Sequence, residues 1–144
     1  MVTTTHQLTK EQGHSLLTLA RTTLKHQLTG GEAPQQPADP ALLISAATFV
    51  TLKLSGKLRG CIGNLQPVGA LWQGIRDNAI NAAFHDHRFS PLVTAELDKV
   101  HIDISLVVAL QYYNRYQDPQ NAQPASEPNY YAWNAWRDGN GTPL

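Results

Sequence analysis

The sequence predicts an α+β domain in which an antiparallel or mixed sheet is flanked by helices. Three observations carry that prediction: two segments with apolar residues at helical spacing, a β-rich pair of segments around Ser55-Gly56, and a late stretch that alternates apolar and polar. A chain of 144 residues suits one domain with a core of its own.

Thr9-Lys10-Glu11-Gln12 has the form of a capping box and opens the first helix, with Leu16, Leu17, Ala20, Leu24 and Leu28 on one face. Thr29-Gly30-Gly31 should end it, because a glycine accepts the left-handed cap. A Pro- and Gly-rich loop follows as far as Pro40. Phe49 to Leu54 and Lys57 to Gly63 then read as a hairpin. A two-residue Ser-Gly turn would set Leu52 against Arg59. A three-residue Leu-Ser-Gly loop sets Leu52 against Leu58 and Thr51 against Arg59, which keeps apolar with apolar and is the register predicted. It places Arg59 and Cys61 on one face beside Thr51 and Phe49. Leu71, Trp72, Ile75, Ala79, Ile80, Ala82 and Ala83 mark a second helix ending near His85-Asp86, with a turn at Arg88-Phe89-Ser90-Pro91. Thr94 to Leu97 suggests a short helical turn. Val100, Ile102, Ile104, Leu106 and Val108 form a strand with one buried face, leaving His101, Asp103 and Ser105 on a solvated one.

Eleven Lys and Arg balance 11 Asp and Glu, so the electrostatic footprint of a nucleic-acid or anionic-membrane binder is missing. A single cysteine, Cys61, excludes an internal disulfide and a multi-cysteine metal site, and points to a reducing, cytoplasmic setting. No secretory leader or membrane span is read in the sequence.

The densest chemical candidate is Leu58-Arg59-Gly60-Cys61-Ile62-Gly63. A cationic neighbour such as Arg59 stabilises a thiolate at Cys61, and Gly60 and Gly63 leave the backbone bare for close approach by a ligand or by the chain. A buried, inert cysteine is the competing reading. His85-Asp86-His87-Arg88 is the second cluster. Its residues fit compensation of a helix C-terminus, with Asp86 and Arg88 holding each other and the turn, better than they fit a metal site. No phosphate loop, dinucleotide fingerprint, metalloprotease helix or nucleophile elbow is present. The residues alone define neither a reaction nor a cofactor.

Phe49-Val50-Thr51-Leu52, the Leu58 to Gly63 hexapeptide, Asn78-Ala79-Ile80-Asn81-Ala82-Ala83-Phe84 and Asp86-His87-Arg88-Phe89-Ser90-Pro91-Leu92 together resemble the AMMECR-type domain family. Its prokaryotic members are called protein A of the AmmeMemoRadiSam system. The resemblance implies a two-lobed α+β domain with a cleft at the hexapeptide. It implies Cys61 and Arg59 as candidate catalytic residues, and Gly60, Gly63, Asp86, Arg88 and Phe89 as candidate binding residues. His87 stands where a proline is usual in the family, which argues against a metal role for it, and no metal ligands are assigned. Memo-type and radical SAM proteins are the implied partners.

The resemblance covers about residues 9 to 108, so the sequence divides into an incomplete domain, 1–108, and an atypical, poorly ordered tail, 109–144. That tail holds all 5 tyrosines but only Leu110 and Leu144 as branched aliphatics. A frameshift or truncation is one explanation and natural divergence the other. Missing strands would leave the edge of the last alternating strand open. Three functional expectations follow: an enzyme or enzyme subunit working at Cys61, a non-catalytic binding module for the implied partners, or an inactive gene product.

Overall fold

The computed structural model describes residues 8–107, 132–137 and 142–143. Helix α1 spans Lys10–Thr29. The Thr9 hydroxyl accepts from the Gln12 amide at 3.1 Å and the Gln12 side chain returns to the Thr9 amide at 2.8 Å, closing the expected capping box. Gly30 caps the other end at φ 74°. Asp39 accepts from the Gln12 side chain at 2.9 Å and caps a 3-10 turn at Pro40–Leu42, so the proline-rich loop is tied back to the start of α1.

Strands β1 (Ala47–Leu54) and β2 (Lys57–Gly63) form the hairpin, and α2 (Leu71–Phe84) follows. A short turn of helix, α3 (Thr94–Leu97), leads into β3 (His101–Val107). Strands β4 (Ala132–Arg137) and β5 (Thr142–Pro143) complete an antiparallel sheet in the order β2-β1-β3-β4-β5. The α+β class and the flanking helices are as the sequence predicts.

The hairpin register differs from the predicted one. Ser55 and Gly56 both take positive φ, 52° and 78°, which makes a two-residue turn whose twist matches that of the strands it joins. Leu54 therefore faces Lys57 and Lys53 faces Leu58. A bulge then inserts Arg59, so that Leu52 faces Gly60 and Thr51 faces Cys61. The tight turn and the apolar pattern are both kept because the bulge absorbs one residue.

Val50, Leu52, Ile102, Ile104 and Leu106 on one face of the sheet pack beneath Leu16, Leu17, Ala20 and Leu24 of α1 and Leu71, Ile75, Ala79 and Ala82 of α2. Arg21 on α1 donates to the carbonyls of Leu97 and Val100, the latter at 2.7 Å, and fixes the α3–β3 corner against α1. The opposite face is not fully solvated as expected. Asp103 is only 6% exposed and pairs with Lys53 at 3.3 Å, because β3 is an interior strand lying between β1 and β4.

The edge of β3 expected to stand open is paired with β4, in the register Ile104 to Trp136 and Ser105 to Ala135. The Ala132 to Arg137 segment has few aliphatics and no period of two, so its strand character is set by the partner edge and not by its own composition. The rest of the tail expectation, residues 109–131, 138–141 and 144, lies outside the described residues.

A Cβ added at Gly56 would meet nothing within 4 Å, so replacing this glycine tests backbone conformation alone. Gly56→Ala is expected to lower stability by about 1–2 kcal/mol, the usual cost of a left-handed non-glycine residue. Ser55→Asn is expected to raise it slightly, because asparagine tolerates that region. Denaturant melts of the two variants should move in opposite directions.

Candidate functional site

The hexapeptide occupies β2, the end strand of the sheet among the described residues. Its two glycines lie close against other parts of the chain. A Cβ on Gly60 would fall 2.1 Å from the Ala82 carbonyl oxygen, so Gly60 lets the last turn of α2 lie directly on the strand. A Cβ on Gly63 would fall 2.2 Å from the Phe49 ring and 2.6 Å from the Thr48 carbonyl. Both bare positions are filled by the protein's own backbone and side chains.

Because α2 approaches so closely, the residues just past its end reach β2. Asp86 is buried and its carboxylate accepts four hydrogen bonds. They come from the Cys61 amide (3.0 Å), the Arg88 amide (3.1 Å), Arg88 Nε (3.0 Å) and Arg88 Nη2 (2.8 Å). The Arg88 hydrogen bond, followed by the Cys61 amide, holds the Asp86 carboxyl well below the usual carboxylate range. Arg88 Nη2 also donates to the Cys61 carbonyl at 3.4 Å, and its guanidinium lies 5.4 Å from the centre of the Phe89 ring. Asp86 and Arg88 thus hold each other and the turn, as the sequence suggests, and in addition clamp both polar groups of one peptide residue.

Cys61 is half-buried, with Sγ 3.2 Å from Thr51 Oγ1 across the hairpin. Arg88 is the cation that also binds the Cys61 backbone carbonyl. The hydrogen bond to Asp86 raises the Arg88 pKa first, with a smaller contribution from the neighbouring Cys61.

Arg59 is oriented differently. It is the extra residue of the bulge, and its Nε and Nη2 bind Glu96 of α3 at 3.1 and 2.9 Å in a two-pronged ion pair. That pair lowers the Glu96 pKa, chiefly through the Arg59 hydrogen bond. Arg59 Nη1 is buried without a partner, which ordinarily costs about 1–3 kcal/mol.

Three supporting residues do not stand out in the sequence. Glu96 also accepts from the Val93 amide at 3.1 Å, and the Val93-to-Glu96 spacing at the start of a helical turn was the available signal. Thr51, expected on the same face but opposite Arg59, is set directly opposite Cys61 by the bulge. Asn78, which reads as one polar residue among several on α2, is buried and directs Nδ2 to Thr48 Oγ1 (2.8 Å), the Thr48 carbonyl (3.2 Å) and Asn64 Oδ1 (2.9 Å). It pins α2 to β1 and to the residue that follows Gly63. His85 and His87 are exposed, and among the described residues no three His, Cys, Asp or Glu side chains stand close enough to hold a metal ion.

An α+β domain with a Gly-Cys strand at its sheet end, capped by an Asp-x-Arg-Phe turn, is the class these observations define. The AMMECR1 family profile matches residues 17–138, and the chain belongs to that family. The match runs past Val108 and takes in β4. A protein of Methanosarcina acetivorans is 36% identical over 113 residues, covering 74% of this chain and 56% of that protein. One of Methanothermobacter thermautotrophicus is 34% identical over 102 residues, covering 69% of this chain and 53% of its own length. The crystal structure of the uncharacterized protein PH0010 from Pyrococcus horikoshii superposes with a TM-score of 0.63 at 31% identity, over 72% of this chain and 54% of that one. The chain spans about half the length of the curated relatives it matches. Among the described residues no helix is long and apolar enough to cross a membrane.

The depressed Asp86 pKa makes a signed prediction. Free aspartate titrates at about 3.9, so ionised Asp86 favours the fold above that value, and the contribution is lost as pH falls below it toward the folded pKa. In thermal melts, the advantage of the native protein over Asp86→Asn should be steady above about pH 5 and shrink below about pH 4.

Proposed function

We propose that the protein acts through the Cys61 thiol as a cytoplasmic component of an AmmeMemoRadiSam-type system. The observation that carries this reading is the fixing of Cys61 at three points while the residue stays only half-buried. Its amide is held by Asp86, its carbonyl by Arg88 and its sulfur by Thr51. A thiolate at Sγ would accept from the Thr51 hydroxyl and face the positive charge of Arg88. In this reading Cys61 is the nucleophilic or redox group and Arg88 its electrostatic partner. Asp86 and Phe89 orient Arg88, and Gly60 and Gly63 permit the packing beneath. Arg59 joins the strand to α3 through Glu96.

Alkylation of the folded protein by iodoacetamide at neutral pH tests the assignment. Arg88→Ala should slow modification of Cys61 by roughly fivefold or more, while Arg59→Ala leaves it within about twofold. A thiol inert in the folded protein, or a rate indifferent to Arg88, would refute it.

A non-catalytic binding module is the second reading, favoured by the commitment of Arg59 to Glu96 and of both glycines to internal packing. Its partners would be Memo-type and radical SAM proteins. For that reading, Cys61→Ser should bind purified partners as the native protein does, whereas Arg88→Ala, whose side chain is 59% exposed, loses affinity by roughly tenfold. Loss of binding in Cys61→Ser would exclude it.

A further inference from the structure

The balance of 11 basic and 11 acidic residues leaves open where each charge ends in the fold. Around Cys61, burial sorts them by sign. On one side of that residue the Asp86–Arg88 pair buries its carboxylate and exposes its cation, the side chains being 4% and 59% exposed. On the other side Thr51 stands between Cys61 and Asp103 in one cross-strand row, facing the first on β2 and the second on β3. Asp103 binds Lys53 at 3.3 Å, and here too the carboxylate is buried and the cation is not, at 8% and 35%. Lys53 is two residues from Thr51 on β1, so it shares the face that carries the Cys61 sulfur. The Arg59 pair is turned the other way, with the cation 12% exposed and Glu96 25%. Asp103 is the single acidic residue of β1, β2 and β3. Each outward cation also keeps donors in reserve. Arg88 commits Nε to Asp86 and Nη2 to Asp86 and the Cys61 carbonyl, which leaves the two hydrogens of Nη1. The Lys53 ammonium has three N–H groups for one carboxylate partner.

We infer that the site takes a small molecule bearing a carboxylate next to the atom that the Cys61 thiol attacks, with Arg88 and Lys53 as the groups that recognise it. The inference rests on the reading of Cys61 as the reacting group and adds the charge of what it reacts with. One negative charge suits the site better than two, because each cation is already partly compensated by the carboxylate beneath it. The ion pairs hold both cations outward before any ligand arrives, so an anion meets an arranged positive rim on a chain of zero net charge.

Iodoacetate and iodoacetamide test the inference, since the first carries a carboxylate beside its reacting carbon and the second a neutral amide. With either reagent the sulfur bonds to that carbon, iodide leaves with its electron pair, and the thiol proton passes to the buffer. The quantity to measure is the ratio of the two alkylation rates at neutral pH and low salt. The same chain unfolded in urea is the reference, because Cys61 is its single cysteine. Folding should raise the iodoacetate-to-iodoacetamide ratio by roughly fivefold or more, and added salt should return it toward the unfolded value. Lys53→Gln and Arg88→Ala should each lower the ratio by roughly threefold, and Lys53→Arg should preserve it. If Lys53→Gln unfolds the protein by stranding Asp103, Lys53→Gln combined with Asp103→Asn decides, and it must lower the ratio as well. A folded chain with the unfolded ratio, or a raised ratio indifferent to both cations, would overturn the inference while reaction with iodoacetamide leaves the thiol reading standing. A Cys61 inert toward both reagents refutes the thiol reading itself, and the inference with it.

Discussion

The last turn of α2 lies against β2 at a distance that no side chain at position 60 would allow, and the arrangement of the signature strand follows from that contact. Gly60 sets its bare α-carbon beneath the Ala82 carbonyl. Asp86 lies one helical turn further along the chain and so reaches the amide of Cys61, the next residue of β2. Arg88 follows Asp86 and reaches the carbonyl of the same residue. Asn78, one turn before Ala82, secures the approach from the other side by binding Thr48 and Asn64. The helix and the strand are thus registered at three successive turns, by an amide, a glycine and a carboxylate.

Electrostatics explains why the carboxylate can be buried there. A buried charge is tolerated when it is paired and its lone pairs are occupied, and Asp86 receives donors from two backbone amides and a two-pronged guanidinium. Removing one partner of such a group strands the other, so Asp86 and Arg88 form a unit whose loss is felt at Cys61. Arg59 and Glu96 make a parallel arrangement at the bulge, joining β2 to the turn before β3. The two cations of the motif region therefore have separate roles. Arg59 holds the hairpin to α3, and Arg88 caps the edge beside the thiol.

Much of this was legible in the chain. The Thr9 capping box, the glycine stop at Gly30 and the apolar stripe of α2 depend on neighbours within one or two turns, and local spacing reports them directly. The alternation from Val100 to Leu106 marked the buried face of β3. The link between Asp86 and Arg88 was also visible, being only two residues long. The bulge was not. Choosing between two hairpin loops by matching Leu52 with Leu58 took no account of an extra residue, and that residue is Arg59. β4 escaped because its composition carries no strand period and its pairing comes from the edge it completes.

The sequence by itself determined the α+β class, the helix limits, the apolar faces and the family, since each is written in residue type and short spacing. Which groups meet was decided only by the tertiary structure. The approach of Ala82 to Gly60, the burial of Asp86 on Cys61, the assignment of Arg59 to Glu96 and the strand added at β3 all join residues far apart in the chain. Such contacts are selected by the packing of whole elements, and no local pattern of residues encodes the distance between them.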